Sequence, residues 1–328
     1  IEIFILTRYN LLIKWITQFL GDQLTVELAS SDASFRRYFR VTQKGKSFIV
    51  MDAPPDKESI SEFIAIGKKL FKDNINVPDL YEVNINDGFI LMSDFGSTTY
   101  LEAFSFDDPL SLYRVALDSL FDIQNNCHYE NLPSYSESLL AKEMTLFHDW
   151  YLIKYKKIIL KAKDSKALDE VIQLIVLSNL NQPQLFVHRD FHCRNLMFID
   201  RNKAPGIIDF QDAVNGPITY DLASLLKDAY YELEEDLVID LLVRYWGRLK
   251  EANLIKNNDF SDFYKSFEWM GVQRHMKILG IFVRLSIRDG KDQYLDDIRL
   301  VENYLLTTTK RYSELFPLRN ILMKATEL

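Results

Sequence analysis

F-V-H-R-D-F-H-C-R-N-L-M-F-I-D-R-N-K-A-P-G-I-I-D-F-Q-D, residues 186–212, gathers its polar side chains at three points. Phe186 and Val187 form a short apolar run that ends in His188-Arg189-Asp190, and the spacing from Asp190 to Asn195 is D-x-x-x-x-N. Two further apolar runs follow, Leu196 to Ile199 and Gly206 to Ile208, with the turn-rich Asp200 to Pro205 between them. Runs of this length around Asp, Asn, Pro and Gly read as an antiparallel hairpin. Folded about its turn, the hairpin sets Asn195, before the first strand, opposite Asp209, after the second.

The spacing D-x-x-x-x-N is that of a kinase catalytic loop. An amide oxygen beside a carboxylate suits Mg²⁺, which takes a few hard oxygen ligands and completes its octahedron with phosphate and water. Asp190, on the same loop, is then placed to accept a proton from an attacking hydroxyl while the metal neutralises the phosphates. A single Asp or Asn beside a strand is ordinarily a turn former. The ordered set of H-x-D, D-x-x-x-x-N, a hairpin and a D-F-x ending points instead to phosphotransfer chemistry.

At 328 residues the chain exceeds one ordinary core, so two lobes are expected, and 48% hydrophobic residues suffice to fill them. A formal charge of −8 and a pI near 5.3, with no Lys/Arg-rich tract, argue against nucleic-acid binding. Cys127 and Cys193 are too few for a disulfide framework and too far apart for a metal motif, which fits a reducing cytoplasm. Cys193 reads as a plain free thiol. The apolar start, Ile1 to Leu6, is interrupted by Glu2 and followed by Arg8 and Lys14, so neither a signal peptide nor a membrane-spanning helix is expected. Leu11, Leu12, Trp15, Ile16, Phe19 and Leu20 recur at helical spacing until Gly21.

Residues 1–95 read as an N-terminal lobe. After the first helix, Leu24 to Leu28 forms a strand and leads into Ser31-Asp32-Ala33-Ser34-Phe35-Arg36. Small polar residues between two strands can cover a nucleotide's phosphates with backbone N–H groups and hydroxyls, although no G-x-G-x-x-G is present. Lys46 to Met51 is the strand that in kinases carries a phosphate-binding Lys, paired with a Glu of the next helix. Here Met51 holds that place. The next helix runs from Asp56 to Phe71; its Glu58 and Glu62 are read as solvated, since their basic partner is missing, and Arg36 or Arg37 can supply the cation instead. Strands Leu80 to Val83 and Phe89 to Met92 then reach Ser93-Asp94-Phe95, the position of a kinase hinge, where backbone groups would meet the adenine edge.

Residues 96–328 read as a larger, mostly helical lobe, with helices at Asp108 to Gln124, Ser136 to Leu160, Lys166 to Leu180 and Phe263 to Ile287. Trp150, Tyr151 and Tyr155 are assigned to the core. Asp221, opening a helix after Gly216-Pro217, is assigned a structural role, capping N–H groups or holding the catalytic loop. The fold class is α+β, a two-lobed kinase-like architecture.

The stretches V-H-R-D-F-H-C-R-N-L-M-F, I-I-D-F-Q-D-A and Y-D-L-A-S-L-L together resemble the aminoglycoside phosphotransferase family, whose fold is similar to that of protein kinases. Within it, S-D-A-S-F-R-R-Y-F-R at 31–40, M-D-A-P-P at 51–55, W-M-G-V-Q-R-H-M-K-I-L-G-I-F-V-R-L at 269–285 and R-D-G-K at 288–291 resemble bacterial cell-wall sugar kinases acting at the anomeric hydroxyl of N-acetylmuramate and N-acetylglucosamine. The resemblance implies Asp190 as catalytic base, Asn195 and Asp209 as Mg²⁺ ligands, ATP as phosphoryl donor and residues 31–36 as the phosphate-covering turn. It also implies that the missing Lys belongs to the subgroup and need not mark a dead enzyme.

The expected partner is a small sugar or amino sugar. His192, Arg194, Asp212 and Arg274 are candidate contacts to it, and Arg194, Arg274, His275 and Lys277 are candidates to meet a muramic acid carboxylate. Two alternatives stand beside this reading. An antibiotic kinase would need carboxylates for a polycation, and Glu232, Glu234, Glu235 and Asp236 occur as an apparently exposed helix start. A catalytically silent nucleotide-binding protein is suggested by Met51 but opposed by the retention of Asp190, Asn195 and Asp209.

Overall fold

The computed structural model describes residues 2–31, 35–127, 131–256 and 259–326, without the side chains of residues 2–7, 30 and 31. They form two compact units, Ile1–Thr99 with Met197–Asp212, and Tyr100–Leu196 with Ala213–Leu328. In the first, helix α1 (Glu2–Leu20) ends at Gly21, whose φ of 79° is a conformation that glycine adopts without strain. Then come β1 (Thr25–Ser31), β2 (Arg37–Gln43), β3 (Lys46–Asp52), α2 (Ser61–Lys72), β4 (Leu80–Asn84) and β5 (Phe89–Ser93). The strands make one antiparallel sheet in the order β1-β2-β3-β5-β4. Lys44 and Gly45, both at positive φ, make the tight turn between β2 and β3 that the right-handed strand twist favours.

Leu12, Trp15 and Ile16, at helical spacing, bury one stripe of α1 against Phe39, Val41, Val50, Phe89 and Leu91 of the sheet. Leu11 and Phe19, expected in that stripe, are exposed; the buried face is narrower than the run of apolar residues suggests. Arg8 extends the contact with charge, donating through Nε to Asp52 at 3.0 Å and through Nη2 to the carbonyl of Asp87 at 2.7 Å.

The second unit carries α3 (Tyr100–Ala103), α4 (Pro109–Asn126), α5 (Glu137–Leu146), a π-helical stretch (Phe147–Tyr155), α6 (Ala162–Leu180) and β6 (Gln184–Val187). Asp108 and Ser136 cap α4 and α5 through their side chains. The chain then makes the short hairpin β7 (Leu196–Met197) and β8 (Gly206–Ile207). Beyond β7 it is fastened within the first unit, by Phe198 N–H to Thr98 O at 2.8 Å and Ile207 N–H to Asn76 O at 2.8 Å. The ring of Phe95 fills the space where a side chain at Gly206 would begin, 2.3 Å away. Back in the second unit follow β9 (Val214–Pro217), which pairs antiparallel with β6, and then α7 (Tyr220–Leu226), α8 (Glu235–Glu251), α9 (Phe260–Asp289), α10 (Ile298–Arg311) and α11 (Phe316–Thr326).

The helix expected over Ser136 to Leu160 changes to π geometry after Leu146. That junction is where α9 comes closest: a Cβ on Gly280 would lie 2.4 Å from the Leu146 backbone. Of the aromatic cluster assigned to the core, only Tyr151 is fully buried, and Tyr155 is exposed. Among the described residues no helix is long and apolar enough to cross a membrane. From Phe267 to Gly280, α9 is buried all round, yet it carries Glu268, Gln273, Arg274, His275 and Lys277. Buried polar groups persist only with partners, and those partners define the site.

Candidate active site

β6 delivers the chain into His188-Arg189-Asp190, and the first turn of α7 fixes its path. Asp221 accepts the backbone N–H of His188 at 2.7 Å and of Arg189 at 3.0 Å, the role assigned to it from the sequence. Burial pushes the Asp221 carboxyl up to about 7, against the pull of these two amides. Arg189 takes a left-handed φ of 77°, donates to Glu143 at 2.6 Å, and offers its carbonyl to Arg274 Nη1 at 3.2 Å. Backbone and side chain of this residue are thus held from three directions. The amide of Asp190 donates to His188 Nδ1 at 3.2 Å, which places the ring proton of a neutral His188 on Nε2.

Asn195 folds back on the same loop. Its Nδ2 donates to the Asp190 carbonyl at 3.0 Å and its backbone N–H to the His192 carbonyl at 2.9 Å. Between them, Cys193 N–H donates to Asp228 at 2.9 Å, and the other oxygen of Asp228 takes Tyr230 N–H at 3.1 Å. Sequence reading passed over Asp228.

Asp190, His192, Tyr230, Arg274 and Lys277 line a cavity of about 100 Å³, walled also by Ile278, Ile281 and Phe282. A water needs ~10–15 Å³ of such volume, so there is room for several polar atoms. Positions 274, 277, 278 and 281 form one stripe of α9. Confinement would raise the Asp190 carboxyl, but Lys277 and Arg274, with smaller help from the histidines, hold it below the ordinary carboxylate range. Burial pushes His192 down, toward the neutral imidazole. His192 Nδ1 and Arg274 Nε are buried and meet no hydrogen-bond partner among the described residues.

Lys277 is shared. It lies 3.2 Å from Glu143 and donates to the Tyr220 hydroxyl at 3.0 Å. Glu143 also accepts Tyr135 O–H and, at 3.0 Å, Gln273 Nε2. Burial opposes its charge, but Lys277, Arg189 and these hydrogen bonds hold the Glu143 carboxyl below its usual range. Sequence reading passed over Glu143, although a signal existed: it occupies an apolar-stripe position between buried Leu140 and Met144.

Two candidates for a substrate carboxylate lie elsewhere. His275 donates to or accepts from nothing in the cavity; it bonds the Lys227 carbonyl at 2.9 Å and stacks on Tyr304, and burial lowers it to about 3. The guanidinium of Arg194 stacks on the Tyr230 ring at 3.6 Å and sits 3.8 Å from Asp297, outside the cavity lining. The acidic residues Glu232, Glu234, Glu235 and Asp236 are exposed around the start of α8, as expected.

In the first unit, Asp209 adopts a left-handed φ of 65° and accepts Gln211 Nε2 at 2.8 Å; Gln211 also reaches Asp212, which is exposed, at 3.3 Å. Asp32, Ala33 and Ser34 lie outside the described residues, as does the side chain of Ser31. Phe35 N–H donates to Glu58 at 3.2 Å, and Arg36 Nε lies 2.6 Å from the other oxygen of the same carboxylate. Glu58 is therefore not a solvated helix residue. It lies ahead of α2, and its basic partner comes from the β1–β2 loop, a source that strand and helix patterning did not reveal; Glu62 is exposed. Arg37, the other candidate cation, is committed to buried Asp52 beside Arg8. At the expected hinge, Ser93 N–H is used by the Asp79 carbonyl at 3.0 Å, and Asp94 holds Arg40 at 2.7 Å and Gly96 N–H at 2.8 Å. Asp94 contributes side-chain structure there, and Phe95 packs on Gly206.

The phosphotransferase enzyme family matches the chain over residues 25–254. An N-acetylmuramate/N-acetylglucosamine kinase of Neisseria meningitidis serogroup B is 42% identical over 301 residues, spanning 90% of this chain and 89% of that protein. A protein of the same name from Pseudomonas aeruginosa is 41% identical over 294 residues, spanning 90% and 86%. Among solved structures, a Plasmodium vivax ethanolamine kinase superposes with a TM-score of 0.63 at 14% identity, over 93% of this chain and 88% of the other, a likeness of fold. With a β-rich first unit, a helical second unit and these relatives, the chain belongs to the phosphotransferase enzyme family and has a protein-kinase-like fold.

Proposed function

We propose that the chain is an ATP-dependent sugar kinase that phosphorylates the anomeric hydroxyl of N-acetylmuramate and N-acetylglucosamine in the cytoplasm, in the recycling of cell-wall sugars. The observation that supports this over an antibiotic substrate is the charge of the cavity: Asp190 faces Arg274 and Lys277, with a neutral His192. Such a lining suits a sugar bearing a carboxylate and repels a polycation.

Asp190 takes the proton of the anomeric hydroxyl as its oxygen bonds to the γ-phosphorus and the bond to ADP breaks. Its depressed basicity is no obstacle, because the proton leaves late in a loose transition state and positioning provides most of the rate. Arg274 and Lys277 receive the lactyl carboxylate of N-acetylmuramate, and the buried Nδ1 of His192 meets a sugar hydroxyl. Arg194 stays at the margin of this arrangement, and Asp212 is assigned no contact.

Asn195 and Asp209 would hold Mg²⁺. The chemistry fits: Asn195 spends its Nδ2 on the Asp190 carbonyl, which fixes Oδ1 as the ligating end, and Asp209 supplies a carboxylate. Two protein oxygens are what Mg²⁺ takes when phosphates and water complete the set. A Mg²⁺ ion held by these two residues would supply neutralisation of charge on the transferred group. Residues 31–36 cover the phosphates, and backbone groups of the 93–95 segment meet the adenine.

The test is a panel of N-acetylmuramate, N-acetylglucosamine, their 1-O-methyl glycosides and kanamycin with Mg·ATP, read by ³¹P NMR. The expected products are 1-phosphates of the free sugars, with none from the glycosides. Efficient phosphorylation of kanamycin, or of a glycoside, would overturn the assignment.

A further inference from the structure

Kinases bind nucleotide phosphates with a strand lysine that a glutamate holds in place, but the corresponding strand β3 presents Met51, fully buried. We infer that Arg36, braced by Glu58, is the cation that grips the nucleotide's phosphates in place of that lysine. The inference rests on the phosphotransferase reading above and adds a residue pair to it.

Position supports it first. Tyr38 lies directly opposite Met51 in the β2–β3 ladder, so their side chains share a face of the sheet. Arg36 stands two residues before Tyr38, on the same side, and its guanidinium hydrogen-bonds the Tyr38 side chain. The chain has moved the positive group from β3 to the entry of β2, one strand over.

The brace is the second observation. One oxygen of Glu58 lies 2.6 Å from Arg36 Nε and the other accepts Phe35 N–H at 3.2 Å. A single carboxylate therefore bonds the backbone that leads into the arginine and sets its charge against the guanidinium. Contact through Nε suits the role, because a guanidinium grips phosphate through its Nη atoms, often two oxygens at once. Burial works against the charge of Arg36, but Tyr38, Glu58 and Asp209 together keep it protonated. The other arginines of β2 have different duties: Arg37 is held by Asp52 and Arg40 by Asp94.

Calorimetric titration with Mg·ADP and with a non-hydrolysable Mg·ATP analogue, without any acceptor, tests the pair independently of the sugar. Arg36→Gln is expected to weaken nucleotide binding about tenfold or more, Arg36→Lys to recover most of it, and Glu58→Gln to weaken it about threefold, a range of roughly 0.6–1.4 kcal/mol. Glu58→Gln should add little on top of Arg36→Gln. Urea midpoints keep binding apart from folding, and Arg36→Lys, which retains the charge, serves if the glutamine variant does not fold. Nucleotide binding by Arg36→Gln within twofold of the unaltered protein overturns the inference, as does additivity of the two substitutions. Unaltered protein that binds no nucleotide would instead fail the phosphotransferase reading, and this inference with it.

Discussion

The carboxylate of Asp221 holds the backbone amide of His188 at 2.7 Å, so the first turn of α7 sets the direction in which the 188–195 loop leaves β6. Because burial carries the folded Asp221 up to about 7 from an ordinary 3.8, the folded chain binds the extra proton between those values. Its stabilising contribution is complete below about pH 4 and is lost as pH rises toward 7, with a slope of at most about 1.4 kcal/mol per pH unit. Asp221→Asn removes the titration. Urea melts of both proteins from pH 4.5 to 7.5 should show the unaltered chain losing ground relative to the variant; parallel curves would refute the assignment.

Asp190→Asn keeps the shape of the cavity wall and removes the proposed base. Turnover should fall about 10²- to 10⁴-fold, with nucleotide binding by calorimetry unchanged within a factor of about two. Substantial turnover by this variant would remove Asp190 from the mechanism.

On the proposed reading, Arg274 and Lys277 distinguish the two sugars by charge. Arg274→Gln should raise KM for N-acetylmuramate about tenfold or more while changing that for N-acetylglucosamine much less, the difference corresponding to a charge-assisted hydrogen bond of roughly 1.5–3 kcal/mol. Equal effects on both substrates would show that Arg274 acts only through its bond to the Arg189 carbonyl.

Glu143 gathers Arg189, Lys277, Tyr135 and Gln273 around one buried carboxylate. Glu143→Gln takes from buried Lys277 and part-buried Arg189 a carboxylate that both contact and should cost up to about 3–5 kcal/mol in urea denaturation, the range for breaking a buried pair. A loss below about 1 kcal/mol would mean that solvent already screens the group.

Gly280→Ala places a methyl group 2.4 Å from the Leu146 backbone, which no side-chain rotation relieves. Overpacking of this kind costs about 1–3 kcal/mol. Displacement of α9 would also move Lys277, one turn away, so KM for the sugar should rise along with the loss of stability.

Much of the 186–212 stretch was legible because it is local. His188, Asp190 and Asn195 lie within one loop whose spacing is itself the signal, and the hairpin after it is announced by its turn residues. The helices read at Asp108 to Gln124, Lys166 to Leu180 and Phe263 to Ile287 lie within a few residues of α4, α6 and α9 because their apolar periods are long, whereas α8, α10 and α11 were given no bounds. What the sequence hid was tertiary. Nothing in α5 says that Glu143 will meet Arg189 and two residues of α9, and nothing in the loop before α2 says that Glu58 will meet Arg36. The π-helical stretch after Leu146 was hidden for the same reason, since it coincides with a close approach by Gly280 from a helix far along the chain.

Cys193 sits in the middle of the catalytic loop with no surface exposed, its amide bonded to Asp228. Burial and the neighbouring Asp228 carboxylate push its thiol far above the ordinary range, leaving it inert toward electrophiles while the loop is in place. In a Cys127→Ser background, the rate of maleimide labelling therefore becomes a clock for breathing of the loop, one that ticks without substrate and that a bound nucleotide or sugar should slow.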